Sequence, residues 1–276
     1  MGGMVREAVS VLRPCLAFAR AQWLETARFK SLWAYQVGSS VLLFAPLALT
    51  GMAFGGAGFE ASGGGQSFLA YAITGYVALN VALSALWGGL AFLERSNRSG
   101  ALPHVWAAEA PRWTSLVGVT VVDVGFAVFR ATLVLLITNA LFEGAAFVIT
   151  LPGVAALLIA FIAFWGMGLV FAGVGLVARG ARLPGALSTL AMVMAGVSFP
   201  IAILPWSVRW ISYLNPYTYV LDLMRSTTLG TKPLLALEVE FVIGGVIALG
   251  SIVAGGWLFG WLERVAIRRG LVGLHA

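Results

Sequence analysis

Few residues in this chain could do chemistry, and their spacing argues against an enzyme acting alone. There are two lysines, Lys30 after Phe29 and Lys232 after Thr231. A phosphate-cradling loop of the form G-x-x-x-x-G-K-[ST] needs its lysine directly after a glycine, so neither can serve. His104 and His275 are too few and too far apart for a metal site or a catalytic pair. The single cysteine, Cys15, excludes an internal disulfide and a thiolate metal cluster. Serines and aspartates occur, but without a G-x-S-x-G elbow. No catalytic residue, metal ligand or bound cofactor is assigned to the chain.

Polar groups inside apolar sequence are the second chemical signal. Asp123 and Arg130 stand seven residues apart in one hydrophobic run. On a helix they share a face, separated by roughly 10 Å along the axis. A charge at mid-bilayer costs about 3 kcal/mol on insertion scales, so both should face protein or water. Asp123, near one boundary, suits a structural pairing with a loop arginine; the alternative is a place in a translocation path. Arg130 can snorkel to the opposite interface, where Glu143 offers a partner. Asn80 and Gln36 are weaker signals of the same kind.

The elements that position these groups are membrane spans. Hydrophobic residues make up 60% of the 276 and charged residues 10%, far from the composition of soluble domains. Six apolar segments are long enough to cross a bilayer: Ala34–Phe54, Phe68–Phe92, Ser115–Thr138, Phe147–Val177, Gly185–Leu204 and Leu237–Trp261. The fourth is overlong and carries Pro152 near its start, which predicts tilt or a short leading loop. Gly51/Gly55 and Gly256/Gly260 have the spacing that permits close helix contact, although chance in a glycine-rich chain gives the same pattern. The net charge of +6 comes from short basic clusters between spans, which orient a membrane protein and do not point to nucleic acid. Arg6, Arg13, Arg20, Arg28 and Lys30 precede the first span, while Arg95, Arg98 and Arg112 follow the second. Arg179 and Arg182 follow the fourth, and Arg264, Arg268 and Arg269 follow the sixth. This pattern places both termini in the cytoplasm. Residues 9–32 alternate apolar and basic positions at helical spacing, as an amphipathic helix in the inner interface does.

Two connecting segments are too particular to be plain loops. From Phe199 to Arg225 an apolar run is broken by Pro200, Pro205 and Pro216 and carries Trp206, Trp210, Tyr213 and Tyr217, aromatics suited to a membrane interface. Asp222 and Arg225 close it, spaced for one helical face. Broken backbone at membrane depth is tolerated only where it lines a cavity or is buried in protein, which suggests a lid or gate. Residues 94–113 read as a polar turn, then a short helix ended by Pro111, with Trp106 as an exposed docking knob or an interfacial anchor.

Together the two segments resemble the permease subunits of type-2 ABC exporters. Glu94, Arg95, Gly100, Leu102, Trp106, Pro111 and Arg112 fit that family's pattern E-R-x-x-G-T-L-x-x-L-W-x-x-P-x-x-R, with Ala101 in place of threonine and a slightly longer gap before Gly100. Phe199, Pro200, Leu204, Pro205, Asn215, Pro216, Thr218, Tyr219, Asp222 and Arg225 fit F-P-x-x-x-L-P followed by N-P-x-T-Y-x-x-D-x-x-R. The tail from Glu263 to Gly270 looks like the family's ending.

The resemblance implies an all-α integral membrane protein, one transmembrane domain over 1–276. It would have six transmembrane helices, an N-terminal amphipathic connecting helix and re-entrant helices between spans five and six, within 205–235. It also implies a multi-pass protein of the plasma or inner membrane that moves an amphiphile, such as a drug or lipid, outward. Polysaccharide or lipid-linked glycan export is the first alternative, and an ion-coupled secondary transporter is a more distant one. Two separate ABC ATPase subunits holding ATP and Mg would dock beneath the 94–113 loop. A second permease, identical or homologous, would complete the pore, with membrane lipid around it. Pro200, Pro205, Asn215, Pro216, Tyr219, Asp222 and Arg225 would form the extracellular gate with Phe199. By their own polarity and not by the resemblance, Asn80, Asp123 and Arg130 are the candidate polar groups of a path, Asp123 being read first as structural. Ser62-Gly63-Gly64-Gly65-Gln66 mimics the signature sequence of ABC ATPases, but without a nucleotide domain around it the run reads as a flexible linker.

Overall fold

A computed structural model of the chain describes residues 2–28, 38, 68–107, 111–141, 150–178, 185–186, 201, 205–231 and 233–271. The expected spans Ala34–Phe54 and Gly185–Leu204 lie almost wholly outside these residues, as do Gln36, Glu143, Phe199 and Pro200. Among the described residues regular structure is helical throughout. The helices are α1 (Gly2–Arg28), α2 (Phe68–Arg98), α3 (Leu102–Ala107), α4 (Trp113–Leu141), α5 (Leu151–Ala178), α6 (Trp206–Leu214), α7 (Pro216–Leu229) and α8 (Leu237–Arg268). Stretches of α2, α4, α5 and α8 are long and apolar enough to cross a membrane.

Helices α2 and α8 outrun the hydrophobic segments that predict them. The expected polar turn after Phe92 is helix as far as Arg98, stabilised by the i, i+4 pair Glu94–Arg98 at 3.1 Å. Arg95 and Arg98 in that last turn also favour the helix dipole. Gly100, at φ +70°, then takes the chain out of the helix. Likewise α8 continues past Trp261 to Arg268. Hydropathy marks the part of a helix that lies in lipid, and a polar extension carries no such signal.

Helix α5 is the spine. It packs against α2, α7 and α8, while α4 packs on α2 and α1 on α4. No charged residue interrupts α5, and its buried positions are mostly small: Ala156, Ala160, Ala163, Gly166, Gly168, Ala172, Gly173 and Gly175. A Cβ on Gly166 would strike the backbone of Ser251, and one on Gly255 would strike Gly166 in return. At Gly168 it would lie 2.7 Å from the Ala85 carbonyl oxygen of α2. These are the close contacts that small residues allow. Gly256 and Gly260, the expected pair on α8, face nothing within 4 Å; Gly51 and Gly55 lie outside the described residues.

Two apolar clusters share the spine. One joins Ala82 and Leu86 of α2, Ala160 and Phe164 of α5, Tyr217 and Leu223 of α7, and Ala248 of α8. The other joins Leu90 and Leu93 of α2, Leu102 of α3, Leu116 of α4, Leu169 of α5 and Phe259 of α8.

Candidate functional site

The short helix α3 is too brief to be stable alone. It is fixed by Leu102, fully buried in the second cluster, and by Trp106, packed half-buried on the same cluster. The Arg112 guanidinium lies over the Trp106 ring, 5.2 Å from its centroid. The same guanidinium donates from Nη1 to Glu263 Oε1 at 3.0 Å, and the Glu263 side chain is only 11% exposed. One arginine thus joins α3, the start of α4 and the end of α8. Trp106 is therefore a strut, which corrects its reading as an exposed knob. The exposed residues of α3 are Pro103, His104 and Ala107.

A second polar chain runs beside it. Gln22 of α1, 6% exposed, donates from Nε2 to Asp123 Oδ1 at 3.0 Å. Its Oε1 accepts from Arg95 Nη2 at 3.4 Å, and Arg95 lies 4.0 Å from Glu25. Asp123 thereby reaches a loop-side arginine through Gln22, a residue that sequence reasoning did not single out. Asp123 Oδ2 sits against Gly88 of α2, where a Cβ would come within 3.1 Å. Arg130 turns toward α2 and donates to Ser84 Oγ at 3.4 Å. Asn80 donates back to the Tyr76 carbonyl of its own helix at 3.1 Å.

At the other end of the spine, α6 and α7 form a hairpin whose bends are written in its residue types. Asn215 caps α7, its Oδ1 accepting from the Tyr217 amide at 3.1 Å. Pro216 stands next at N1, where its missing N–H costs nothing. Gly230 closes α7 in the left-handed conformation, φ 64°. Thr218 Oγ1 donates to the Ser212 carbonyl at 2.7 Å, and the Tyr219 hydroxyl to the Tyr213 carbonyl at 2.9 Å. Thr150 Oγ1 at the start of α5 donates to the Thr227 carbonyl at 2.9 Å, tying the hairpin to the spine.

This architecture accompanies a match over most of the chain: a family model described as ABC-2 type transporter covers residues 14–229. The chain belongs to that family. Membership makes it the membrane subunit of an ABC transporter, a partner of ABC ATPase subunits and not itself the catalytic component. None of the curated proteins compared matches it. In this ABC-2 chain the match ends on the last residue of α7 and leaves α8 beyond it.

Within the ABC-2 hairpin, Trp206, Trp210 and Tyr213 are exposed, as an interface requires. Tyr217 is not: it is 6% exposed and stacks on Phe164 of α5, centroids 4.3 Å apart, so the expected interface aromatic is a core residue. Its spacing with Val220, Leu221 and Met224, all buried, is the helical signal that marks it. Asp222 Oδ2 accepts from the Leu234 amide at 2.7 Å, and Glu240 Oε1 from the Leu235 amide at 2.9 Å, so two carboxyls hold the turn before α8. Arg225 is 3% exposed on the same helix as Asp222.

Proposed function

We propose that this ABC-2 subunit exports an amphiphilic molecule, a drug or lipid-like compound, with energy from two separate ATPase subunits docked at the α3 end. The observation that carries the reading is the bracing of α3. Arg112 binds Trp106 and Glu263 at once, so a push on the exposed Pro103–His104 edge reaches α4 and α8 together. An unbraced loop would absorb the push.

The α3 end is the cytoplasmic end on this reading, since Arg95, Arg98, Arg112, Arg264 and Arg268 gather there. Glu94, Arg95, Gly100, Leu102, Trp106, Pro111 and Arg112 form the coupling element. The hairpin is then an extracellular gate, with Pro205, Asn215, Pro216, Tyr219, Asp222 and Arg225 shaping it. Asp123 acts as a structural link between α1, α2 and α4, and the permease works as a dimer in the plasma or inner membrane. The apolar composition of α5 and α8 supports an amphiphile as cargo over a strongly hydrophilic solute.

The test is copurification of the full chain with an ATPase encoded beside it, followed by ATP-driven transport of lipophilic dyes. Wild-type chain should retain the ATPase, and His104→Glu should release it. Retention unchanged by His104→Glu and by Pro103→Asp would refute docking at α3. Transport of glycans and not of dyes would overturn the amphiphile.

A further inference from the structure

We propose that a cavity between α1, α2 and α4 at the α3 end binds the headgroup of an amine-bearing zwitterionic phospholipid. The cavity holds about 570 Å³. Its walls divide by chemistry. Phe18 of α1, Phe92 of α2 and Val119 of α4 form the apolar side, with Phe18 and Phe92 edge to face at 6.0 Å. Arg95, Arg98 and Glu25 form the charged side.

The charged side can hold both signs of such a headgroup. A guanidinium has five donors, and the Arg95 contacts with Gln22 and Glu25 are long, 3.4 and 4.0 Å. Arg98 spends one donor on its 3.1 Å pair with Glu94, so a phosphate oxygen could reach Arg95 and a remaining donor of Arg98 together and make charge-assisted bonds. The Glu25 carboxylate, half exposed beside Arg95, would face the ammonium group. Gln22, bonded to Asp123, stands on the buried side of the cavity, and Arg98 and Ser99 stand exposed on its rim. A free phosphate would leave the phenylalanine wall against water, whereas a glycerol backbone and the first acyl carbons would cover it. Outside the cavity, Trp23 stacks on Phe126 at 5.3 Å yet keeps half its surface exposed, extending the apolar wall along α1.

Native mass spectrometry of the full chain, purified in detergent and supplied with defined lipids, tests the site. One phosphatidylethanolamine should remain on each wild-type chain, in preference to phosphatidylglycerol. Arg95→Gln with Arg98→Gln should lower retention about tenfold by removing the charge-assisted bonds. Ser99→Trp fills the cavity from its exposed rim and should do the same with both arginines in place, which separates lost binding from misfolding. Glu25→Gln should abolish the preference for the amine. Equal retention of lipid by Ser99→Trp and wild type would overturn the site. Displacement of lipid by inorganic phosphate at similar concentration would overturn the lipid as its occupant, and equal retention of the two lipids by wild type would overturn the ammonium contact.

Discussion

Between helices at the α3 end, side-chain bonds join residues 151, 101 and 73 positions apart, whereas the bonds that shape the bend from α6 to α7 join residues 2 and 6 apart. The first set is made by charged or amide side chains reaching between helices. The second consists of a cap and hydroxyl–carbonyl bonds within one supersecondary unit. A region held by long-range side-chain bonds carries displacement from one helix to the next. A region shaped by its own caps keeps its local form, with the Thr150–Thr227 bond and the Tyr217–Phe164 stack seating it on the spine. The first property suits a coupling element and the second a gate, although both rest on the same spine.

Removing the spine should abolish the contrast altogether. Gly166→Leu places a side chain in the backbone of α8, and overpacking against backbone should cost about 3 kcal/mol, the upper end of the usual range. Size-exclusion profiles of the detergent-extracted chain should then show aggregate in place of a monodisperse peak, with Gly256→Leu unaffected because that position faces open space.

The hairpin comes next. Tyr217→Ala removes a buried ring stacked on Phe164 and should cost about 3 kcal/mol, whereas Tyr217→Phe should cost little. The Tyr217 hydroxyl has no hydrogen-bond partner among the described residues, so its loss leaves nothing unpaired. Thermal unfolding of the two variants checks this; equal destabilisation would mean that the hydroxyl, and not the ring, holds α7.

A smaller effect is expected at the cap. Asn215→Ala should cost about 1 kcal/mol and Asn215→Asp nearly nothing. Hydrogen exchange should show the change confined to the first turn of α7.

Ionic strength should give the smallest effect and the cleanest contrast. Raising salt to about 1 M shortens the screening length to about 3 Å. Amide exchange should quicken in α3 and the last two turns of α8, where the Arg112–Glu263 pair is exposed on its arginine side, and stay constant in α7.

Local signals were legible in the sequence and long-range ones were not. Asn215, Pro216 and Gly230 cap α7 through contacts within a few residues, so the bend there follows from residue types close in sequence. Hydropathy finds α2, α4, α5 and α8 but misses the last turns of α2 and α8, where the helix leaves lipid. Gln22 gives no local sign of its role: its partners lie 73 and 101 residues away, on other helices. Tyr217 is a core residue where its type suggests an interface one, because side-chain type alone suits interface and core equally. Gly256 and Gly260 have the right spacing but meet nothing of this chain, while Gly166 and Gly255, on different helices, make the close contact within it.

The central claim, that Arg112 and Glu263 carry force from the docked ATPase to the helices, is tested most directly by exchanging their charges. Single variants Arg112→Glu and Glu263→Arg should each lower ATP-driven transport by about tenfold, an interaction of about 1.4 kcal/mol. The double variant should recover most of that loss, because the pair is restored with its polarity reversed. Losses that simply multiply in the double variant would contradict the account.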